Sequence, residues 1–253
     1  MPLDENKPVM GILAGGGYAQ YARVPKSHLI RVPAGLDLDV AAAIPEVWLT
    51  SFQLINLVGG GIGKGEYALV HAAASGVGTS ILQLMKTYEA KAIAVASKEE
   101  KLETCKALGA IGGINYKENP EFGDQVMSLT DGHGADLILD CVGASHWEQN
   151  EKSLARDGTW VIYGLMGGSA PSSHLGRLLG KRATVTFTTL RTRSNEYKAK
   201  LAERFEKEAV PLFEKGVLKP VVNCVMPLSD IKAAHELMET NTTVGKIVLK
   251  NDL

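Results

Sequence analysis

The chain has 253 residues, 45% of them hydrophobic, with 27 basic and 28 acidic side chains and a formal net charge of −1. This length allows one large domain or two unequal ones, and the apolar content supports a packed core. The balanced charge excludes a basic surface for nucleic acid or an anionic membrane, so neither is expected as a partner. Cys105, Cys141 and Cys224 are odd in number and far apart, which excludes a disulfide framework and a zinc lobe. The six histidines are equally scattered and read as packed or surface side chains. The polar start, residues 1–7, is no signal peptide, and no run approaches the length of a membrane span. A reducing, cytoplasmic setting is expected.

In chain order, Val9–Leu13 and Tyr18–Val24 read as extended pieces joined at Gly15-Gly16-Gly17 in a hairpin or wide turn. Residues 38–57 are rich in alanine and leucine and read as helical, with Pro45 splitting or kinking them. The glycine-rich run Gly59–Gly65 lacks the Walker pattern, since Val58 and Gly65 stand where Gly and Ser or Thr are needed. It reads as a mobile connection. Strands and helices then alternate: strands over 67–71, 92–96, 112–116, 137–140, 159–163 and 184–188, with helices between them. Six β units in this order predict a doubly wound parallel α/β sheet. A charged helix follows over 195–215, and strands over 221–225 and 246–250 flank a helix started by Ser229.

The chain is organised around Ala72-Ala73-Ala74-Ser75-Gly76-Val77-Gly78, a small-residue turn between an apolar strand and a helix. Glycines let backbone approach a ligand, and a helix start offers unpaired N–H groups and a positive dipole end. At the first β–α turn of such a sheet this arrangement suits a dinucleotide pyrophosphate. An NAD site carries Asp or Glu at the tip of the second strand; here Ser97, Lys98 and Lys101 stand there, and Tyr116 ends the next strand. A hydroxyl, two ammonium groups and a phenol suit a 2′-phosphate, which favours NADPH over NADH.

These stretches, with Ile114–Lys117, Leu137–Gly143 and Tyr163–Gly168, resemble the medium-chain dehydrogenase/reductase superfamily, and within it the zinc-free, zeta-crystallin-like quinone oxidoreductases. The resemblance covers about Val9 to Leu249. It implies a six-stranded Rossmann sheet over 42–220, a remnant of a GroES-like substrate domain over 1–41, and a return to that domain over 221–253. It also implies that Ala74, Ser75, Gly76, Val77 and Gly78 hold the pyrophosphate, and Ser97, Lys98, Lys101 and Tyr116 the adenosine side. Thr50 would approach the nicotinamide, Gly143, Gly164, Leu165 and Met166 would line that half of the cofactor, and Leu190 and Arg191 would lie at the cleft mouth. The implied activity is hydride transfer from NADPH to a quinone or conjugated carbonyl, without metal. Family members carry a long segment before the Val9 equivalent, including an Asn and a Tyr near the nicotinamide. The chain therefore reads as lacking part of the substrate domain, with no nameable proton donor and with apolar faces left exposed. A non-catalytic NADPH-binding protein and an enoyl-thioester reductase are the alternative readings. The alternation Thr184-Val185-Thr186-Phe187-Thr188 at a sheet edge predicts a homodimer joined across that strand, as the resemblance also implies.

Overall fold

The computed structural model describes residues 7–169 and 173–252. They divide into two compact units. One holds the described residues up to Thr50 and from Leu190 onward; the other is the continuous stretch Ser51–Thr189. The sequence-based boundaries lay at 41/42 and 220/221. The difference arises because the first helix after Leu190, Asn195–Glu208, packs on the N-terminal pieces around Lys26–Arg31.

The continuous unit is the doubly wound sheet. Its strands are β3 (Tyr67–Val70), β4 (Lys91–Ala96), β5 (Ala110–Asn115), β6 (Ala135–Asp140), β7 (Leu154–Ile162) and β8 (Thr184–Phe187). They lie in the order β5-β4-β3-β6-β7-β8, and every pairing is parallel. The helices between them are α3 (Gly76–Thr87), α4 (Glu99–Ala107), α5 (Gly123–Leu129), α6 (Trp147–Ser153) and α7 (Leu175–Lys181). Strands covered on both faces must be apolar throughout, and Leu69, Ile93, Val95, Ile114, Ile138, Trp160 and Ile162 are buried accordingly, with Phe122 and Val126 packed on them. The order reverses at β3, between β4 and β6, so a crevice opens at the C-terminal ends of these three strands. The loop into β3 is tied at several points, with Gly59 and Gly61 donating to Leu54 and Ile55 carbonyls and Gly65 to that of Glu89.

The other unit starts with β1 (Val9–Gly11), which pairs antiparallel with β2 (Leu29–Arg31). Here the structure corrects the expected hairpin: residues 18–24 form no strand, because the edge of β1 is taken by Leu29–Arg31, and Tyr18 and Tyr21 stand exposed. Helix α1 (Leu38–Ala41) is capped by Asp37, and α2 (Pro45–Gln53) begins at Pro45, as the proline predicted. A π-helical turn, Leu54–Val58, extends α2. The whole run Leu38–Val58 does reach membrane-span length, with mean hydropathy 1.2, but 72% of that window is buried inside the protein.

The predicted long charged helix is two: α8 (Asn195–Glu208) and α9 (Val210–Glu214), broken before Pro211, whose ring excludes a continuous helix. Phe213 of α9 packs edge-on against Trp48 at 4.7 Å, and Glu206 and Glu214 pair with Arg31. Strands β9 (Val222–Pro227) and β10 (Lys246–Lys250) pair in parallel around α10 (Ile231–Glu239). Ser229 does not cap α10. Its backbone N–H and hydroxyl both donate to the Asp252 carboxylate, which takes the side chain away from the helix start. Val9, Leu38, Val225 and Met238 are exposed in this unit.

Candidate functional site

The turn after β3 is stitched into the crevice by two backbone bonds, from His71 N–H to the Leu139 carbonyl and from Ala73 N–H to that of Val95. Ala72 is held at a φ of +46°, a conformation costly for a side chain with a Cβ, and the neighbouring strands hold it there. Ser75 caps α3, its hydroxyl accepting from Gly78 N–H, while its carbonyl accepts from Thr79 N–H. That leaves the Gly76 and Val77 amides without a partner among the described residues. Two orphan N–H groups at the start of a twelve-residue helix fit a phosphate group. Gly78 has a different part. A Cβ there would lie 2.5 Å from the Ala72 carbonyl oxygen and the Ala73 backbone, so this glycine lets helix and strand pack closely.

At the tips of β4 and β5 the residues expected for the adenosine side come together. Tyr116 N–H donates to the Ala96 carbonyl, which ties the end of β5 to that of β4. Ser97 and Lys101 are buried, Tyr116 is half-buried and Lys98 exposed. Burial depresses the Lys101 pKa, and the nearby ammonium groups of Lys98 and Lys117 depress it further. Lys117 was missed by reading that stopped at Tyr116; its position one residue past the strand end was the available signal. Three ammonium groups are thus brought near one another at these strand tips, an arrangement that fits a dianionic phosphate.

Gly143, Gly164, Leu165 and Met166 lie in the loops after β6 and β7. These loops are laced together: Ala144 and Ser145 N–H donate to the Gly168 and Gly167 carbonyls, and Met166 and Gly167 N–H to those of Cys141 and Val142. Leu165 and Met166 are exposed. Thr50, half-buried on α2, and Leu190 and Arg191 belong to the other unit. There Leu190 and Arg191 line a cleft of about 430 Å³ together with Arg23, His28, Glu46 and Lys198, and Lys198 Nζ donates to the Arg191 carbonyl at 2.9 Å.

Sequence reading missed a buried polar chain beneath the turn. The Asp140 carboxylate accepts four bonds, from Val142 and Gly143 N–H, Asn150 Nδ2 and Trp160 Nε1, at 2.7–3.1 Å. Asn150 Oδ1 lies 2.7 Å from His71 Nε2, and His71 Nδ1 lies 3.2 Å from His146 Nδ1. His71, Asp140 and Asn150 are fully buried and His146 is half-buried. Burial lowers the His71 pKa against the pull of Asp140 and the Asn150 bond. Burial, then the neighbouring His71, takes His146 down to about 4. Asp140 at a strand end was the only sequence signal; the histidines 75 positions apart carried none.

The Cys105 and Cys141 thiols are raised by burial to about 12 and about 11. Neither is a nucleophile at neutral pH, so mass spectrometry after brief alkylation of the native protein should find Cys224 modified and these two intact.

The profile of the zinc-binding dehydrogenase family matches residues 76–207. A 2-haloacrylate reductase from a Burkholderia species is 31% identical over 239 residues, covering 92% of this chain and 70% of its own length. A crystal structure of an NAD-dependent alcohol dehydrogenase superposes with a TM-score of 0.81 at 33% identity, over 93% of this chain and 65% of that one. The Escherichia coli quinone oxidoreductase solved with NADPH gives 0.81 at 28% identity, over 92% of this chain and 71% of that one. This chain thus spans about two thirds of the length of each. Among the described residues no three His, Cys, Asp or Glu side chains gather as metal ligands. With its parallel six-stranded sheet, its glycine turn at the point of reversal and these relatives, the chain belongs to the zinc-binding dehydrogenase family of oxidoreductases, on the quinone oxidoreductase-like side of the medium-chain dehydrogenase/reductase superfamily.

Proposed function

We propose that this protein binds NADPH and transfers a hydride to an electron-poor acceptor, a quinone or a conjugated carbonyl compound. The observation that supports the choice of cofactor is the gathering of Lys98, Lys101 and Lys117 beside buried Ser97, close enough that the two neighbouring ammonium groups depress the Lys101 pKa, at the strand tip where an NAD site carries Asp or Glu. The Gly76 and Val77 amides would take the pyrophosphate, and Gly143, Gly164, Leu165 and Met166 would serve the nicotinamide half. The cofactor supplies the hydride; the protein orients it and excludes water. The Burkholderia relative named as a reductase of 2-haloacrylate, a conjugated acid, supports the conjugated-carbonyl class of acceptor. We place the activity in the cytoplasm, in keeping with two buried unpaired thiols. Fluorescence titration with NADPH and NADH tests the cofactor, and NADPH oxidation with a quinone, an enone and an enoyl thioester tests the acceptor. Equal affinity for the two cofactors would refute the first half. Binding without turnover on any acceptor would leave a cofactor-binding protein.

We also propose a homodimer joined across β8. Among the described residues this strand pairs on one side only, with β7, and Phe187 is exposed. Thr188 N–H donates inward to the Ile162 carbonyl, so strand alternation turns the Val185 and Phe187 amides outward. Val185→Pro removes an outward N–H without touching the β7 ladder. Light scattering should report a dimer for the unmutated chain and a monomer for the variant; a monomeric unmutated chain at micromolar concentration contradicts the proposal.

A further inference from the structure

We propose that His146 presents an unprotonated Nε2 to the exocyclic amino group of the bound dinucleotide's adenine, making the site selective for that base. The inference rests on the NADPH reading above and adds a base-recognition residue to it. Its starting point is Asp140, whose four partners are all donors. The Asn150 amide therefore turns its NH₂ toward the carboxylate and its Oδ1 toward His71. A carbonyl oxygen only accepts, so His71 carries its proton on Nε2. Full burial keeps His71 neutral, which leaves a lone pair on its Nδ1. His146 Nδ1, 3.2 Å away, must be the donor in that contact.

His146 is neutral as well at ordinary pH, since burial and His71 oppose its protonation. Its one proton is spent inward on His71. The other ring nitrogen, Nε2, is then an acceptor, fixed as such by a chain that ends on a buried carboxylate. Among the described residues Nε2 makes no hydrogen bond, and it is not among the buried polar atoms left without a partner, so it reaches the surface. The ring stands edge-on to Tyr116 at 5.2 Å and to Phe122 at 5.1 Å. Tyr116 closes β5 beside Ser97 and the lysines, where the adenosine half of the cofactor is proposed to lie. Phe122 is buried and backs the imidazole, so the half-buried Tyr116 ring and one fixed acceptor are what a ligand would meet, and these suit a purine that offers an amino group. Hypoxanthine, with a carbonyl oxygen at that position, would set two lone pairs against each other.

The test compares NADPH with its hypoxanthine analogue, deamino-NADPH, by fluorescence titration of the full chain. The unmutated protein should bind NADPH about tenfold more tightly, the worth of one hydrogen bond lost and an acceptor left facing an acceptor. His146→Phe keeps a ring against Tyr116 and Phe122 but removes the acceptor, and should bind the two within about twofold of each other. Imidazole ¹⁵N spectra of the unmutated protein give a reading that needs no variant: the proton should sit on Nδ1 of His146 and on Nε2 of His71. Equal affinities in the unmutated protein, discrimination that survives in His146→Phe, or a proton on His146 Nε2 each overturn the proposal. If neither dinucleotide binds, the cofactor reading falls, and this one with it.

Discussion

Lys101→Glu should weaken NADPH binding by about one to two orders of magnitude, roughly 1.4–2.8 kcal/mol, and leave NADH binding much less affected. The lysine is buried and already crowded by Lys98 and Lys117, with burial the larger pressure on its charge. A group in that position gains most from a phosphate, because the incoming negative charge relieves both pressures together. Glutamate removes one cation and sets an anion beside the remaining two. NADH lacks the 2′-phosphate, so its loss should reflect only general disturbance of the tip of β4. Isothermal titration with both cofactors reads the difference directly. A variant that loses NADPH and NADH affinity equally would place the phosphate elsewhere.

The two glycines of the turn should separate folding from binding. Gly78→Ala is expected to cost about 3 kcal/mol, the upper end for an overpacked site, because the new Cβ meets three backbone atoms at 2.5 Å and backbone cannot swing aside. For a chain of this size that corresponds to a fall of about 6–12 °C in Tm. Gly76→Val should leave most of the fold in place and abolish NADPH binding, since its side chain would crowd the two unpaired amides. Calorimetry and cofactor titration on both variants distinguish the effects. Normal NADPH binding by Gly76→Val would show that the phosphate turn is misplaced, and an unchanged Tm in Gly78→Ala would show that α3 does not pack so closely on β3.

The sheet was legible in the residues because parallel strands buried on both faces must be continuous apolar runs, and Ala92–Ala96 or Leu137–Leu139 can be little else. The order of strands is the usual one of a doubly wound sheet, which places the sixth strand at an edge. What escaped was non-local pairing. Nothing in Val9–Gly11 says that its partner is Leu29–Arg31 rather than the nearer Tyr18–Val24. Ser229 looks like a cap until Asp252, 23 residues on, takes its hydroxyl. The split between α8 and α9 was available in Pro211 and was passed over. In the candidate site the glycine turn and the lysines were readable as local motifs. The Asp140–Asn150–His71–His146 chain was not, because its members lie on three separate segments and meet only when the loop after β6 folds over the end of β3.

The division of the chain has a consequence for its synthesis. The sheet unit is one uninterrupted stretch, Ser51–Thr189, whereas the other is drawn from both ends of the polypeptide. The partners of its first part arrive late: His28 is bonded by the Asn195 carbonyl, Arg31 by Glu206 and Glu214, and Asp39 by Lys250. On the ribosome, at roughly 5–20 residues per second, the leading segment therefore waits on the order of ten seconds, with Ile30 and Trp48 uncovered, while the sheet is translated and begins to fold. Nascent chains should be cut by protease ahead of Thr50 until translation has passed α9, and a chaperone that shields apolar segments would find its substrate there.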